Sequence, residues 1–156
     1  MRRAAPLLLL AALMAAGCGV HAVTPHAPAP TTAVQTPPSI AITALPPALQ
    51  GSWQPVSKAL EGPGPLKLTA QTLTWAPCGA VARAVNGTTT GTAVLLTLPG
   101  TTACRLDGTP ITHLRAQTRA DNACELELSI YQNAAQLAKQ ERLAWGVYTR
   151  QGCAPN

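Results

Sequence analysis

Five cysteines, three histidines and six carboxylates carry most of the chemistry available to this 156-residue chain. Cysteine serves as nucleophile, metal ligand or half of a disulfide, depending on its neighbours and its redox surroundings. Cys18 stands apart, directly after an apolar run, while Cys78, Cys104, Cys124 and Cys153 are spread over the second half. A zinc site wants paired short spacings such as C-x-x-C, and these four are scattered. His21 and His26 lie near Cys18, which leaves His113 as the lone histidine further on. No metal ligand set is therefore expected. Among the acids, Glu125 and Glu127 alternate on one face of a strand-like run. Hydrolases do use paired carboxylates, but charges on a solvated strand face are the plainer reading. A serine nucleophile needs a base and an orienting acid. Ser52, Ser57 and Ser129 lack the glycines of a nucleophile elbow, and His113 with Asp107 is the only pair that would assist one. The run Gly62-Pro63-Gly64-Pro65 is a turn that cannot cradle phosphate, because proline has no N–H to donate. No catalytic residue, cofactor or metal site is predicted.

Compartment decides what the cysteines do. Arg2 and Arg3 precede an apolar stretch over residues 4–16 that contains four consecutive leucines. It is shorter than the roughly 20 residues a spanning helix needs, and it has the layout of a secretory signal. Ala15-Ala16-Gly17-Cys18 resembles the lipobox of bacterial lipoproteins, with alanine where that family usually carries leucine. The resemblance implies acylation of the Cys18 thiol, cleavage after Gly17 and attachment to a membrane through lipid. More than one acyl chain is needed for stable anchoring. The expected location is the bacterial cell envelope, by export and lipid anchoring.

With Cys18 assigned to lipid, four cysteines remain in an oxidising space. They read as two disulfides with three connectivities open. Residues 18–47 form a Pro/Ala/Thr-rich segment, expected to be a lipid-anchored linker. Such composition buries too little apolar surface to offset its ordering entropy, and proline stiffens it into a spacer. Residues 48–156 are expected to form one small domain. Removing Arg2 and Arg3 lowers the formal charge from +5 to +3, and the remaining bases are dispersed. Nothing would track a phosphate backbone, so no nucleic-acid partner is expected.

The domain reads as mainly β, a small antiparallel sheet or barrel of seven or eight strands with little helix. Leu66 and Leu68 alternate with Lys67 and Thr69, then Leu73 and Trp75 with Thr72 and Thr74, which predicts a hairpin turning near Gln71. Asn86-Gly87 between two β-rich runs predicts a type I′ hairpin turn. Leu126, Leu128 and Ile130 share one face of a strand, and Leu143, Trp145 and Val147 share one face of the last. The run at residues 132–143 could form one helical turn or two, and a long hairpin connection is the favoured reading. Phenylalanine is absent, so Trp53, Trp75 and Trp145 are expected to fill the core, or else to form a stacking platform for a sugar or aromatic ligand. If the strands after Cys124 and before Cys153 are antiparallel neighbours, these two cysteines meet. That favours Cys124–Cys153 and, by elimination, Cys78–Cys104.

Residues 49–104 resemble the META domain of bacterial envelope lipoproteins. The likeness rests on Leu49, Gly51 and Trp53, on the strands before Cys78-Gly79, and on the threonine-rich hairpin ending at Cys104. Gly79 stands where the family has asparagine, Pro77 where it has glycine, and Cys124 and Cys153 are additional. The resemblance implies a compact β domain that acts without catalysis, by contact with an envelope protein or in envelope maintenance. A second likeness is to the calycins, in which a first-strand tryptophan packs near a last-strand arginine. Here those residues are Trp53 and Arg150. It implies a carrier that binds a small apolar ligand inside a barrel.

Overall fold

The computed structural model describes residues 39–79, 83–84, 86–98 and 104–153. Cys18, the signal-like run and the first part of the expected linker lie outside the described residues. Among the described residues twelve strands form in chain order: β1 (Ile40–Ile42), β2 (Gly51–Pro55), β3 (Leu66–Leu68), β4 (Thr72–Trp75), β5 (Arg83–Ala84), β6 (Asn86–Thr90), β7 (Ala93–Thr97), β8 (Arg105–Leu106), β9 (Thr109–Pro110), β10 (His113–Thr118), β11 (Glu125–Tyr131) and β12 (Ala144–Arg150). One short helix, α1 (Ala134–Ala138), lies between β11 and β12. Ten strands make a curled antiparallel sheet in the order β1-β6-β7-β10-β11-β12-β2-β3-β4-β5, and β8 pairs with β9 alone. The fold is mainly β with little helix, as the alternation predicts.

The curl follows from connectivity. β6 is second in the sheet and β5 is tenth, yet one residue separates them in the chain. A flat sheet would hold them roughly 38 Å apart at one strand spacing per step. Two Cα steps span about 7 Å. The two ends of the sheet must therefore bend toward each other. The first and last long strands close the middle, Trp53 of β2 standing opposite Arg150 of β12.

Curling creates an inside. Leu66, Leu68, Leu73, Leu114, Leu126, Leu128 and Ile130 alternate into it and are almost wholly buried. Trp53, Trp75 and Tyr148 fill its widest gaps, each at 0–1% exposure. Their polar atoms are satisfied within the core, as burial demands. The Trp53 indole donates to the Leu49 carbonyl at 3.0 Å. The Trp75 indole donates to the Tyr148 hydroxyl at 3.1 Å, and that hydroxyl donates to the Gly64 carbonyl at 3.1 Å. The Arg150 guanidinium lies 4.7 Å from the Trp53 ring centroid and donates to the Ala48 carbonyl. Such a stack contributes about 0.5–2 kcal/mol.

Four expectations are corrected. Asn86-Gly87 is not a turn: both residues lie in β6, opposite Thr97 and Leu96. The turn is Gly91-Thr92, with positive φ at Gly91, the pattern of a II′ hairpin. Gly87 is required for a different reason, since a Cβ there would fall on the Leu95 carbonyl oxygen. The folded part begins before residue 48. β1 pairs with β6, and the Leu45 N–H donates to the Ala70 carbonyl at 2.7 Å, with Leu45 itself buried. The prolines around Ile40-Ala41-Ile42 hid a strand too short to show a period. Residues 132–143 do join the antiparallel β11 and β12, but of the two readings the helical turn forms: Asn133 caps α1 by accepting from the Gln136 N–H at 2.9 Å. Finally, Trp145 faces outward, for a reason given below.

The disulfides are Cys78–Cys104 and Cys124–Cys153. The second joins the start of β11 to the residues after β12, whose antiparallel pairing sets Glu125 opposite Thr149. The first ties the turn after β4 to the residue before β8. Cross-links closing 26 and 29 residues each remove about 3.5 kcal/mol of unfolded-chain entropy in the loop-closure model.

Candidate functional site

The outer face of the sheet carries a row that the register sets in line. Thr88 of β6 stands opposite Leu95 of β7, Leu95 opposite Arg115 of β10, Arg115 opposite Ser129 of β11, and Ser129 opposite Trp145 of β12. Each alternates with inward residues, so the row points away from the core. Arg115, for example, sits between Leu114 and Ala116, both fully buried.

Over part of this row lies α1. Its position is held at both ends. The Gln132 N–H donates to Gln136 Oε1 at 3.2 Å. At the other end Tyr131, buried on the outer face, donates its hydroxyl to Gln140 Oε1 at 3.3 Å, and Gln140 Nε2 donates to the Leu137 carbonyl at 3.1 Å. Gln140 holds a φ of +58°, a left-handed conformation that costs a non-glycine residue about 1 kcal/mol. Between helix and sheet runs a groove of about 490 Å³, lined by Thr90, Ala93, Leu95, Arg115, Leu137, Ala138 and Gln140. Its volume falls in the range of small-molecule sites.

Arg115 is the groove's one cation, half-buried and without a hydrogen bond or ion pair among the described residues. The nearby acids are engaged elsewhere. Glu127 accepts from the Gln117 amide at 3.0 Å. Arg119 grips Asp121 with two hydrogen bonds of 3.1 Å and approaches Glu125 at 3.4 Å. Hydrogen bonding to Arg119 holds the Asp121 carboxyl below its ordinary range. Glu125 and Glu127 thus have different partners.

His113 is also occupied. Its Nδ1 lies 2.7 Å from the Thr112 hydroxyl, which donates to the Gln132 carbonyl at 3.0 Å. Burial lowers the His113 pKa below its ordinary value. Asp107 sits at positive φ in the β8–β9 turn and makes no contact with His113. Ser57 accepts from the Val147 N–H at 2.9 Å, so its hydroxyl serves the backbone. Among the described residues, no three His, Cys, Asp or Glu side chains gather where a metal would be held.

The tryptophans divide between the two faces. Trp53 and Trp75 are inside, whereas Trp145 is 45% exposed and Leu143 38% exposed on the outer face. The deciding residue is Gly146. It is buried, and a Cβ on it would meet Leu60 and Ser57 at 2.7 Å. That packing turns Gly146 and Tyr148 inward, so Trp145 and Val147 turn outward. By the same alternation Arg150 points to the inward side and reaches Trp53. Reading the sequence missed the groove because Leu95, Arg115 and Leu137 are distant in the chain. The one local signal was Leu137, the one large apolar side chain of α1, in a run too short to show a stripe. No family model matches the chain, and no curated protein and no solved structure shows significant similarity to it.

Proposed function

We propose that this chain is an exported bacterial envelope lipoprotein, attached to the membrane through Cys18, whose β domain works without catalysis by contact with an envelope protein. The observation that carries the reading is the contrast between faces. The interior is filled by Trp53, Trp75, Tyr148 and leucines, and Glu125, Glu127 and His113 are engaged in structural bonds. On the outer face, Trp145 and Leu143 stand exposed on one strand segment. Exposed aromatics of this kind are enriched at contact surfaces. The META-like residues Leu49, Gly51, Trp53, Cys78 and Cys104 support an envelope role by resemblance.

A calycin-like carrier is the second reading, favoured by the Arg150–Trp53 stack at 4.7 Å. The filled interior argues against a ligand held there.

Detergent phase partition of the full chain tests the anchor. The chain enters the detergent phase, and Cys18→Ala moves it to the aqueous phase; a mutant that stays in detergent refutes the attachment. For the contact, a photo-crosslinker at position 145 yields one discrete adduct with an envelope protein, and the unlabelled chain suppresses it while its Trp145→Asp variant does not. Equal adducts from positions 145 and 67 would refute a specific surface. A small molecule recovered from the natively purified chain, bound inside rather than at the outer face, would move the conclusion to the carrier.

A further inference from the structure

We propose that the groove between α1 and the outer face of β7 and β10 is a binding site for a small apolar monocarboxylate. The carboxylate would sit on Arg115 and the hydrocarbon part against Leu95, Leu137, Ala93 and Ala138. The proposal is independent of the membrane anchor and of the contact at Trp145.

Three features point the same way. First, the groove is a defined concavity of about 490 Å³ whose walls are fixed rather than loose. The helix wall is pinned through Asn133, Gln136 and the Tyr131–Gln140–Leu137 chain of hydrogen bonds. A strained φ at Gln140 is retained to complete that clasp. Second, most of the lining is apolar, and the polar groups are few: the Thr90 hydroxyl, the Gln140 amide and the Arg115 guanidinium. A mostly apolar concavity with few convergent polar groups is the usual form of a small-ligand site.

Third, Arg115 has no hydrogen-bond or ion-pair partner among the described residues. A guanidinium is always charged and presents a planar fork that matches a carboxylate bidentately. In this protein Arg119 uses its fork in that way on Asp121. Arg115 has the same capacity and binds no acid among the described residues. Glu127, diagonal to it across the β10–β11 pair, is taken by Gln117. Glu125 and Asp121 are taken by Arg119. Glu141, exposed just beyond the helix, makes no ion pair with it.

The charge count selects the anion. One guanidinium neutralises one charge. A phosphate monoester would bring up to two, and the lining holds no second cation. An alcohol or amine of the same length would leave the guanidinium unpaired or repelled. An apolar carboxylate satisfies both halves of the groove.

The test uses the full chain carrying Cys18→Ala, with octanoate as probe and 1-octanol and octylammonium as controls. Amide NMR shifts and the emission of Trp145, two strands from Arg115 in the same row, report binding. Octanoate should shift Leu95, Arg115 and Leu137 saturably, with octanol at least about tenfold weaker and octylammonium inactive, as expected for one charge-assisted hydrogen-bonded pair. Arg115→Gln should weaken octanoate by a similar factor, and Arg115→Lys should restore part of it. Should Arg115→Gln not fold, Leu137→Glu supplies the same reading from the opposite wall, by placing an acid in the groove. Octanol binding as tightly as octanoate overturns the proposal. So does octanoate affinity unchanged in Arg115→Gln or Leu137→Glu, or a lack of saturation up to about 10 mM, where binding is too weak for a defined site.

Discussion

Two faces of one sheet, built from the same strands in alternation, have opposite characters here. The inner face holds Trp53, Trp75 and Tyr148 with every indole and hydroxyl hydrogen-bonded inside the core. The outer face holds a tryptophan in solvent, an arginine without an acid among the described residues, and a short helix laid over a groove. One residue step separates Arg115 from Leu114, and Trp145 from Gly146. The difference separates side chains that hold the fold from side chains left half-satisfied at the surface. Packed, satisfied side chains determine the fold, whereas groups left half-satisfied at the surface are free to bind.

The contrast is broken most severely from inside. Trp53→Ala should cost about 3–5 kcal/mol in urea unfolding, the range for large aromatics cut from a core, because it removes the partner of Arg150 as well as a buried ring. A loss under about 1 kcal/mol would mean that the interior is not close-packed. Opening the Cys124–Cys153 bridge with Cys124→Ser and Cys153→Ser should cost about 2–4 kcal/mol, read by the same transition, since the β11 and β12 ends it joins would then fray.

Alkaline titration probes the polar part of the core. Burial pushes the Tyr148 hydroxyl up from its ordinary 10.0 to about 12, against a smaller opposing effect of the Trp75 hydrogen bond. Above pH 10 the unfolded chain releases this proton while the folded chain keeps it. Stability from this group is therefore full below pH 10 and falls between pH 10 and about 12, by roughly 2–3 kcal/mol. Tyr148→Phe should flatten that decline in a pH series of unfolding midpoints; a decline of equal slope in the mutant would assign it elsewhere. The outer face should give the smallest effect. Trp145→Ala is expected to change stability by no more than about 0.5 kcal/mol, and a loss comparable to that of Trp53→Ala would erase the distinction between faces.

Much of this fold was readable from alternation. The hairpin of β3 and β4, the strand β11 and the bridge Cys124–Cys153 follow from residues that are near in sequence or from strands that are neighbours in the sheet. Elsewhere a correct local pattern led to the wrong side. Leu143, Trp145 and Val147 do share a face, but hydrophobicity alone assigned it to the core, and the contacts of Gly146 reversed that assignment. Asn86-Gly87 has turn chemistry, yet its glycine serves a close approach of two strands. β1 was hidden because three residues carry no measurable period, and its partner β6 lies more than forty positions away.

By itself the sequence determined the β class, the strand faces as sets, and four cysteines suited to two bridges, because side-chain alternation and loop closure are local properties of a chain. Only the tertiary structure decided which face became the inside, that the sheet curls, and that Arg115 stands beneath a helix without an acid among the described residues. Those outcomes depend on which distant strands meet. That is settled when the whole apolar surface is buried at once, and no short stretch of residues records it.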